Sequence, residues 1–174
     1  DDGIEGIGYA GFTARIMQPA LKAAVDALAE QALGDDPMNV EAIGAKLLDL
    51  GGSGAPVGLV ARAVGAIDVA LWDIKGKALG QPIYKLLGGF TDRLPAYASG
   101  SLWRPHRVED IPETAQGFVE QGFKAMKIRL GGEDSATKEL ARIQTLREAV
   151  GVDVDIMIDV NQGWSENEAI NIGR

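Results

Sequence analysis

From Leu94 onward the sequence alternates short apolar strands with helices, and the strands recur about every thirty residues. Three strands are predicted, over 94–99, 125–130 and 152–160. Two helices lie between them, over 111–122 and 135–150, and the pattern Ser165-Glu166-Asn167-Glu168 predicts a capping box that begins a third. Because parallel strands need a crossover of a dozen or more residues, this spacing predicts right-handed βαβ units in a parallel sheet.

Two architectures are built from such units: an open doubly wound sheet and a (β/α)8 barrel. In strand 125–130 the apolar side chains share one face, whereas Lys127 and Arg129 share the other. Asp159 and Asn161 likewise lie opposite the apolar face of strand 152–160. A strand covered by helices on both faces would be apolar on both, whereas the mouth of a barrel carries polar groups. The pattern favours the barrel, and the lack of a glycine-rich phosphate loop argues against a dinucleotide-binding sheet.

Residues 1–90 have a different pattern and are predicted to form a separate domain from residues 91–174. A short strand is expected over 4–9, and helices over about 19–32 and 40–50. Apolar residues then recur at intervals of three and four from Val57 to Ala78. This stripe predicts one long helix that is closed by Gly80.

The composition excludes several classes of protein. The chain has no cysteine, which excludes disulfides, thiolate zinc sites and cysteine nucleophiles. Its 17 Lys and Arg against 25 Asp and Glu give a net charge of −8, and no dense basic run suits nucleic acid. No apolar run is long enough to span a membrane, and no secretion signal is recognised, so we expect a cytoplasmic protein.

Two pairs of residues at strand ends could carry chemistry. Lys127 and Arg129 place two cations on one face, which suits a carboxylate substrate, although a solvated edge strand explains them equally well. Asp159 and Asn161 end the next strand and offer oxygen ligands for a hard cation such as Mg2+, or they simply form a turn.

Two further residues lie in the loop after the first of these strands. His106 is the only histidine, and a loop histidine is more often exposed to solvent than catalytic. Trp103 is a candidate contact for a substrate. Serine–histidine hydrolysis has no support, because the sequence contains no nucleophile elbow.

The order of these motifs resembles the mandelate racemase/muconate lactonizing enzyme group of the enolase superfamily. Residues 63–88, AVGAIDVALWDIKGKALGQPIYKLLG, are similar to the helix that leads from the group's capping domain into its barrel. Residues 1–9 are similar to the closing strands of that capping domain. The resemblance implies an α/β fold: part of a (β/α)8-type barrel, with about three βα units, preceded by part of an α+β capping domain.

The resemblance also implies a chemistry, which is Mg2+-assisted removal of the proton α to a substrate carboxylate through an enediolate. Asp159 matches the group's first metal ligand, and Asn161 would line the site beside it. Lys127 and Arg129 match a Lys-x-Lys motif whose second lysine is usually the base. Because a guanidinium is very hard to deprotonate, Arg129 would clamp the substrate instead, which leaves Lys127 or a residue beyond the chain as the base.

A single base favours dehydration of a hydroxy acid such as a sugar acid, with a racemase or a cycloisomerase as the alternatives. A barrel needs eight strands and roughly 250 residues, so we expect a longer enzyme to supply the remaining metal ligands. A non-catalytic fragment that acts as an interaction module is a competing hypothesis. The expected partners are a small-molecule carboxylate and, at full length, further copies of the protein, with no nucleic acid and no membrane.

Overall fold

The computed structural model describes residues 3–11, 14–55, 57–103 and 106–173. The chain divides into two compact units, Asp1–Asp92 and Arg93–Arg174. The first unit contains the helices α1 (Gln18–Ala32), α2 (Val40–Leu50), α3 (Gly58–Leu79) and α4 (Ile83–Leu86). The second contains α5 (Ile111–Glu120), β1 (Ala125–Arg129), α6 (Ala136–Val150), β2 (Asp155–Asp159) and α7 (Glu166–Ile172). In the described part of the chain, no helix is long and apolar enough to cross a membrane.

The long helix predicted in the first unit is α3, and its apolar stripe forms half of that unit's core. Burial of a branched aliphatic side chain contributes about 1.5–3 kcal/mol, so this stripe is what holds α3 against α2. The helix ends at Gly80, which adopts the left-handed conformation with φ of 60°. The buried residues shared by the two helices are Val40, Ile43, Leu47, Val64, Ile67 and Leu71.

The segment 4–9 was predicted to be a strand, and this prediction is wrong for the described residues, which form no strand there. The segment instead follows the surface of α3. The backbone N–H of Ile7 donates to Oδ2 of Asp73 over 2.8 Å, and Nζ of Lys77 donates to the carbonyl of Glu5 over 2.7 Å. Side chains of α3 thus provide hydrogen-bond partners for the extended backbone, in place of a neighbouring strand.

Two glycines allow this segment to lie close to the helix. A Cβ on Gly6 would lie 2.1 Å from the carbonyl oxygen of Ala70, and one on Gly8 would lie 1.9 Å from that of Ala66. Both distances are far below van der Waals contact, so the backbones would have to separate if either glycine carried a side chain.

We therefore expect Gly8→Ala to lower the free energy of unfolding by about 2 kcal/mol, through overpacking against α3. Gly44→Ala is the matched control, since a Cβ there meets nothing within 4 Å and Gly44 lies inside α2. That control should raise the stability by about 0.5–1 kcal/mol, because alanine is the better helix former. Urea denaturation measures both, and equal effects of the two substitutions would contradict the close approach.

The second unit contains a parallel sheet, as its sequence predicts. β1 and β2 pair in parallel with Lys127 opposite Met157 and Arg129 opposite Asp159. The predicted strand 94–99 is reduced to one parallel bridge, at Ala98. The backbone N–H of Ala98 donates to the carbonyl of Ala125, and the carbonyl of Ala98 accepts from the N–H of Lys127, both over 2.9 Å. The chain turns at Gly100, whose φ is 111°, and beyond the turn the carbonyl of Leu102 accepts the N–H of Arg129 over 3.0 Å.

The buried face of β1 consists of Met126 and Ile128, followed by Leu130, all fully buried as predicted. Leu140, Ile143, Leu146 and Val150 recur in α6 at intervals of three and four, a spacing that predicts that they face inward. Leu146 is buried, but Leu140 is 38% exposed, and Glu139 and Arg142 are each only 2% exposed. Ile143 and Val150 are partly buried against the core as predicted, so the prediction is wrong for Leu140. Glu139 and Arg142 also take inward positions, because backbone partners are available to them.

Candidate active site

Three of the predicted site residues lie together at the C-terminal ends of the parallel strands. Lys127 and Arg129 share one face of β1, and the register places Asp159 beside them. Nζ of Lys127 is 3.5 Å from Oδ2 of Asp159, and Nη2 of Arg129 is 3.8 Å from the same oxygen. Their side chains are between 23% and 32% exposed, so a small molecule can reach all three.

Two aromatic rings contact the two cations. Nζ of Lys127 lies 5.4 Å from the ring centroid of Tyr97, and Cζ of Arg129 lies 4.5 Å from that of Trp103. Each ring attracts a cation through its quadrupole. The predicted candidate Trp103 is therefore in the site, whereas Tyr97 was missed, although its position next to the strand residue Ala98 was a usable signal.

The site carries an excess of positive charge, which favours the binding of an anion. Among the described residues of this group two cations face a single carboxylate, and both distances to Asp159 are longer than an ordinary N–H···O hydrogen bond. Nε of Arg129 is buried and has no hydrogen-bond partner among the residues that the structure describes. The Arg129 side chain as a whole is 23% exposed, and a guanidinium binds a carboxylate well because the fork geometry of its N–H groups matches two oxygens.

Asp159 is held ionised in this setting. The backbone N–H of Asn161 donates to Oδ1 of Asp159 over 2.9 Å. That hydrogen bond, with the charges of Lys127 and Arg129, lowers the pKa of the Asp159 carboxyl below its ordinary value. Asn161 itself is exposed, and it contacts Asp159 through its backbone; its φ of 45° places it in a left-handed turn.

A carboxylate oxygen such as Asp159 offers is the ligand type that Mg2+ prefers, but Mg2+ takes six ligands. Across residues 3–11, 14–55, 57–103 and 106–173, no group of three His, Cys, Asp or Glu residues could hold a metal. The described residues thus fit Mg2+ in ligand chemistry and supply one carboxylate. His106 is exposed, and its backbone N–H donates to the carbonyl of Trp103 over 2.9 Å.

Two buried charges beneath the site were missed by the sequence analysis. Oε1 of Glu139 accepts from three consecutive backbone N–H groups, at Gly131, Gly132 and Glu133, over 2.7, 2.9 and 3.0 Å. Arg142 donates to the carbonyls of Trp103 and His106 over 3.3 and 2.9 Å. Their spacing with Leu146, three and four residues apart, was the available signal, since it places all three on one face of α6.

Family models match both units of the chain. The mandelate racemase/muconate lactonizing enzyme N-terminal domain matches residues 1–88, and the enolase C-terminal domain-like model matches residues 110–174. The chain belongs to the mandelate racemase/muconate lactonizing enzyme family. Its fold is accordingly part of a (β/α)8-type barrel preceded by part of a capping domain, as the sequence predicts.

Relatives in this family include enzymes of three kinds. The D-galactarolactone cycloisomerase of Agrobacterium fabrum is 38% identical, over 99% of this chain and 45% of its own length. The structure of L-talarate/galactarate dehydratase from Salmonella typhimurium, liganded with Mg and L-lyxarohydroxamate, is 31% identical with a TM-score of 0.89, over 99% of this chain and 44% of that one.

The structure of a racemase from Streptomyces coelicolor with bound magnesium is 31% identical with a TM-score of 0.87, over 100% of this chain and 48% of that one. The chain thus spans less than half the length of these relatives.

The three hydrogen bonds to Glu139 make a sharp prediction for stability. Glu139→Ala should lower the free energy of unfolding by about 3 kcal/mol, because three loop N–H groups lose a buried acceptor. Glu139→Gln keeps an acceptor oxygen and should cost about 1 kcal/mol. Glu148→Gln, exposed on the same helix, is the control and should change nothing measurable by urea denaturation. A small effect of Glu139→Ala would mean that the loop does not depend on this carboxylate.

Proposed function

We propose that this chain forms the first part of a Mg2+-dependent enzyme that removes the proton α to a carboxylate, most simply for the dehydration of a sugar acid. Residues 1–90 are the C-terminal part of the capping domain with the helix that leads into the barrel. Residues 91–174 are the first three βα units. The observation that carries the proposal is the group of Lys127, Arg129 and Asp159 on one face, with one unbalanced positive charge.

Each residue of this group has a distinct role in the proposal. Arg129, whose side chain is 23% exposed, binds the substrate carboxylate through its guanidinium N–H groups, and Trp103 presents a ring to the bound molecule. Lys127 contacts the same carboxylate or takes the α-proton. Asp159 is one ligand of Mg2+, and Asn161 lines the site beside it.

The chemistry explains why cations surround the substrate. A carbon acid is far too weak for an amine base unless charge that develops on the substrate oxygens is stabilised. Bound Mg2+ supplies positive charge to those oxygens. Arg129 adds a second positive charge from β1, so this chain's own residues orient the carboxylate and stabilise the negative charge as the proton leaves.

The role of Asp159 is tested by Asp159→Asn. The amide still accepts the N–H of Asn161, so the turn is retained while the negative charge is lost. We expect Mg2+ affinity, measured calorimetrically on the intact protein, to fall at least tenfold. Asp155→Asn, at the other end of β2, is the matched control and should leave the affinity unchanged. Unchanged Mg2+ binding in Asp159→Asn would refute its role as a ligand.

The role of Lys127 is tested by Lys127→Ala. Turnover should be lost while Mg2+ affinity is retained, because the amine acts on the substrate and not on the metal. The measurement is dehydration of galactarate and L-talarate, the acids in the name of the Salmonella relative, with the calorimetric titration run in parallel. Unchanged turnover would remove Lys127 from the mechanism.

A cycloisomerase is the second candidate, because the Agrobacterium relative shares 38% identity across nearly the whole chain. Both reactions begin with the same proton abstraction, so exchange of the α-hydrogen in D2O detects either, and product analysis separates them.

An intact mass well above 18.4 kDa would show that further residues are present to complete the metal site. Self-association at full length and a cytoplasmic location are further predictions, and sedimentation velocity measures the first.

A further inference from the structure

We propose that Arg142, supported by Glu139, is a positioning residue that keeps Arg129 stacked on Trp103 and away from Asp159. Arg142 reaches the candidate site through the backbone carbonyl of Trp103, and Glu139 acts through the loop after β1. The proposal rests on the proposed function for its catalytic consequence, while its structural content can be measured without any activity.

Hydrogen bonds attach the loop after β1 to α6. Glu139 is 2% exposed, and its Oε1 gathers the N–H groups of three consecutive loop residues. This places Glu133, the last of the three, where its Oε1 lies 3.2 Å from Nη1 of Arg142. The carboxylate of Glu133 thus holds one branch of the buried guanidinium.

Hydrogen bonds from Arg142 attach the loop that carries Trp103. Nη2 of Arg142 donates to the carbonyls of Trp103 and His106, and Arg142 is 2% exposed. Charge-assisted hydrogen bonds to buried groups are among the stronger contacts in a protein. The neighbouring carbonyl of Leu102 accepts the N–H of Arg129 over 3.0 Å, so the backbone on the N-terminal side of Trp103 is also held to β1.

The position of Trp103 in turn determines where the guanidinium of Arg129 lies. The fixed backbone holds the ring of Trp103 4.5 Å from Cζ of Arg129. A free arginine beside a carboxylate favours a bidentate pair, yet Nη2 of Arg129 stays 3.8 Å from Asp159. The stack therefore competes with that pair and leaves both groups available to ligands. Without Arg142, we infer that Trp103 moves and Arg129 closes onto Asp159.

The test uses the intact protein labelled with 5-fluorotryptophan and observed by 19F NMR. The chain has three tryptophans, so the Trp103 resonance is assigned with Trp103→Phe, and Arg129→Met shows where it lies without the stack. Arg142→Met should move the Trp103 resonance toward its position in Arg129→Met. Arg142→Lys keeps the positive charge but not the forked donors, so it should move the Trp103 resonance part of the way. The lysine variant replaces Arg142→Met in the test if the methionine variant does not fold.

Arg147→Met is the matched control. Arg147 lies on the same helix and also donates to backbone carbonyls, those of Gly151 and Val154, at the opposite end of α6. It should lower the melting temperature without moving the Trp103 resonance. A Trp103 resonance unmoved in the Arg142 variants, or moved equally by Arg147→Met, would overturn the proposal.

Kinetics then separate this proposal from the proposed function. If both hold, Arg142→Met raises KM for the acid substrate at least tenfold with a smaller change in kcat, because Arg129 no longer meets the carboxylate. If the resonance moves but no acid is turned over by the unmodified protein, the positioning role stands and the proposed function fails. If turnover is present and the resonance does not move, the positioning role fails alone.

Discussion

The parallel register between β1 and β2 is the constraint on which the candidate site depends. It places Arg129 opposite Asp159 and puts Lys127 on the same face one pleat earlier. A shift of one residue would turn Lys127 and Arg129 into the core and bring Met126 and Ile128 to the surface. Because those apolar residues are fully buried, hydrophobic burial selects the register that assembles the charged group.

The charges of α6 illustrate how a polar interior can serve a site. A buried ionised group is unfavourable unless hydrogen bonds replace its hydration. Oε1 of Glu139 and the two Nη atoms of Arg142 meet this condition through groups of the neighbouring loops, whereas Oε2 of Glu139 and Nε of Arg142 have no partner among the described residues. The backbone at Trp103 is thus held by hydrogen bonds from a rigid helix, which suits a site that must orient a small anion.

Much of the second unit could be predicted because its elements follow local rules. The buried stripe of β1, the helix α6 from 136 to 150 and the capping box at Ser165 were all foreseen and are present. The grouping of Lys127, Arg129 and Asp159 followed from strand alternation and parallel order. The burial of Glu139 and Arg142 on α6 was not foreseen because hydropathy alone assigns both to solvent. Glu139 finds its partners in the loop just before α6, and Arg142 finds carbonyls at Trp103 and His106, far away in sequence.

The sequence by itself determined the βαβ order, the long helix α3 and the polar face at the ends of β1 and β2, since periodicity and side-chain direction are local properties. Only the tertiary structure decided that segment 4–9 lies on α3, that Tyr97 and Trp103 cover the two cations, and that Arg142 holds the Trp103 loop. These contacts join residues far apart in the chain. Their geometry depends on close approach and on which backbone groups lack partners, and no local pattern encodes either one.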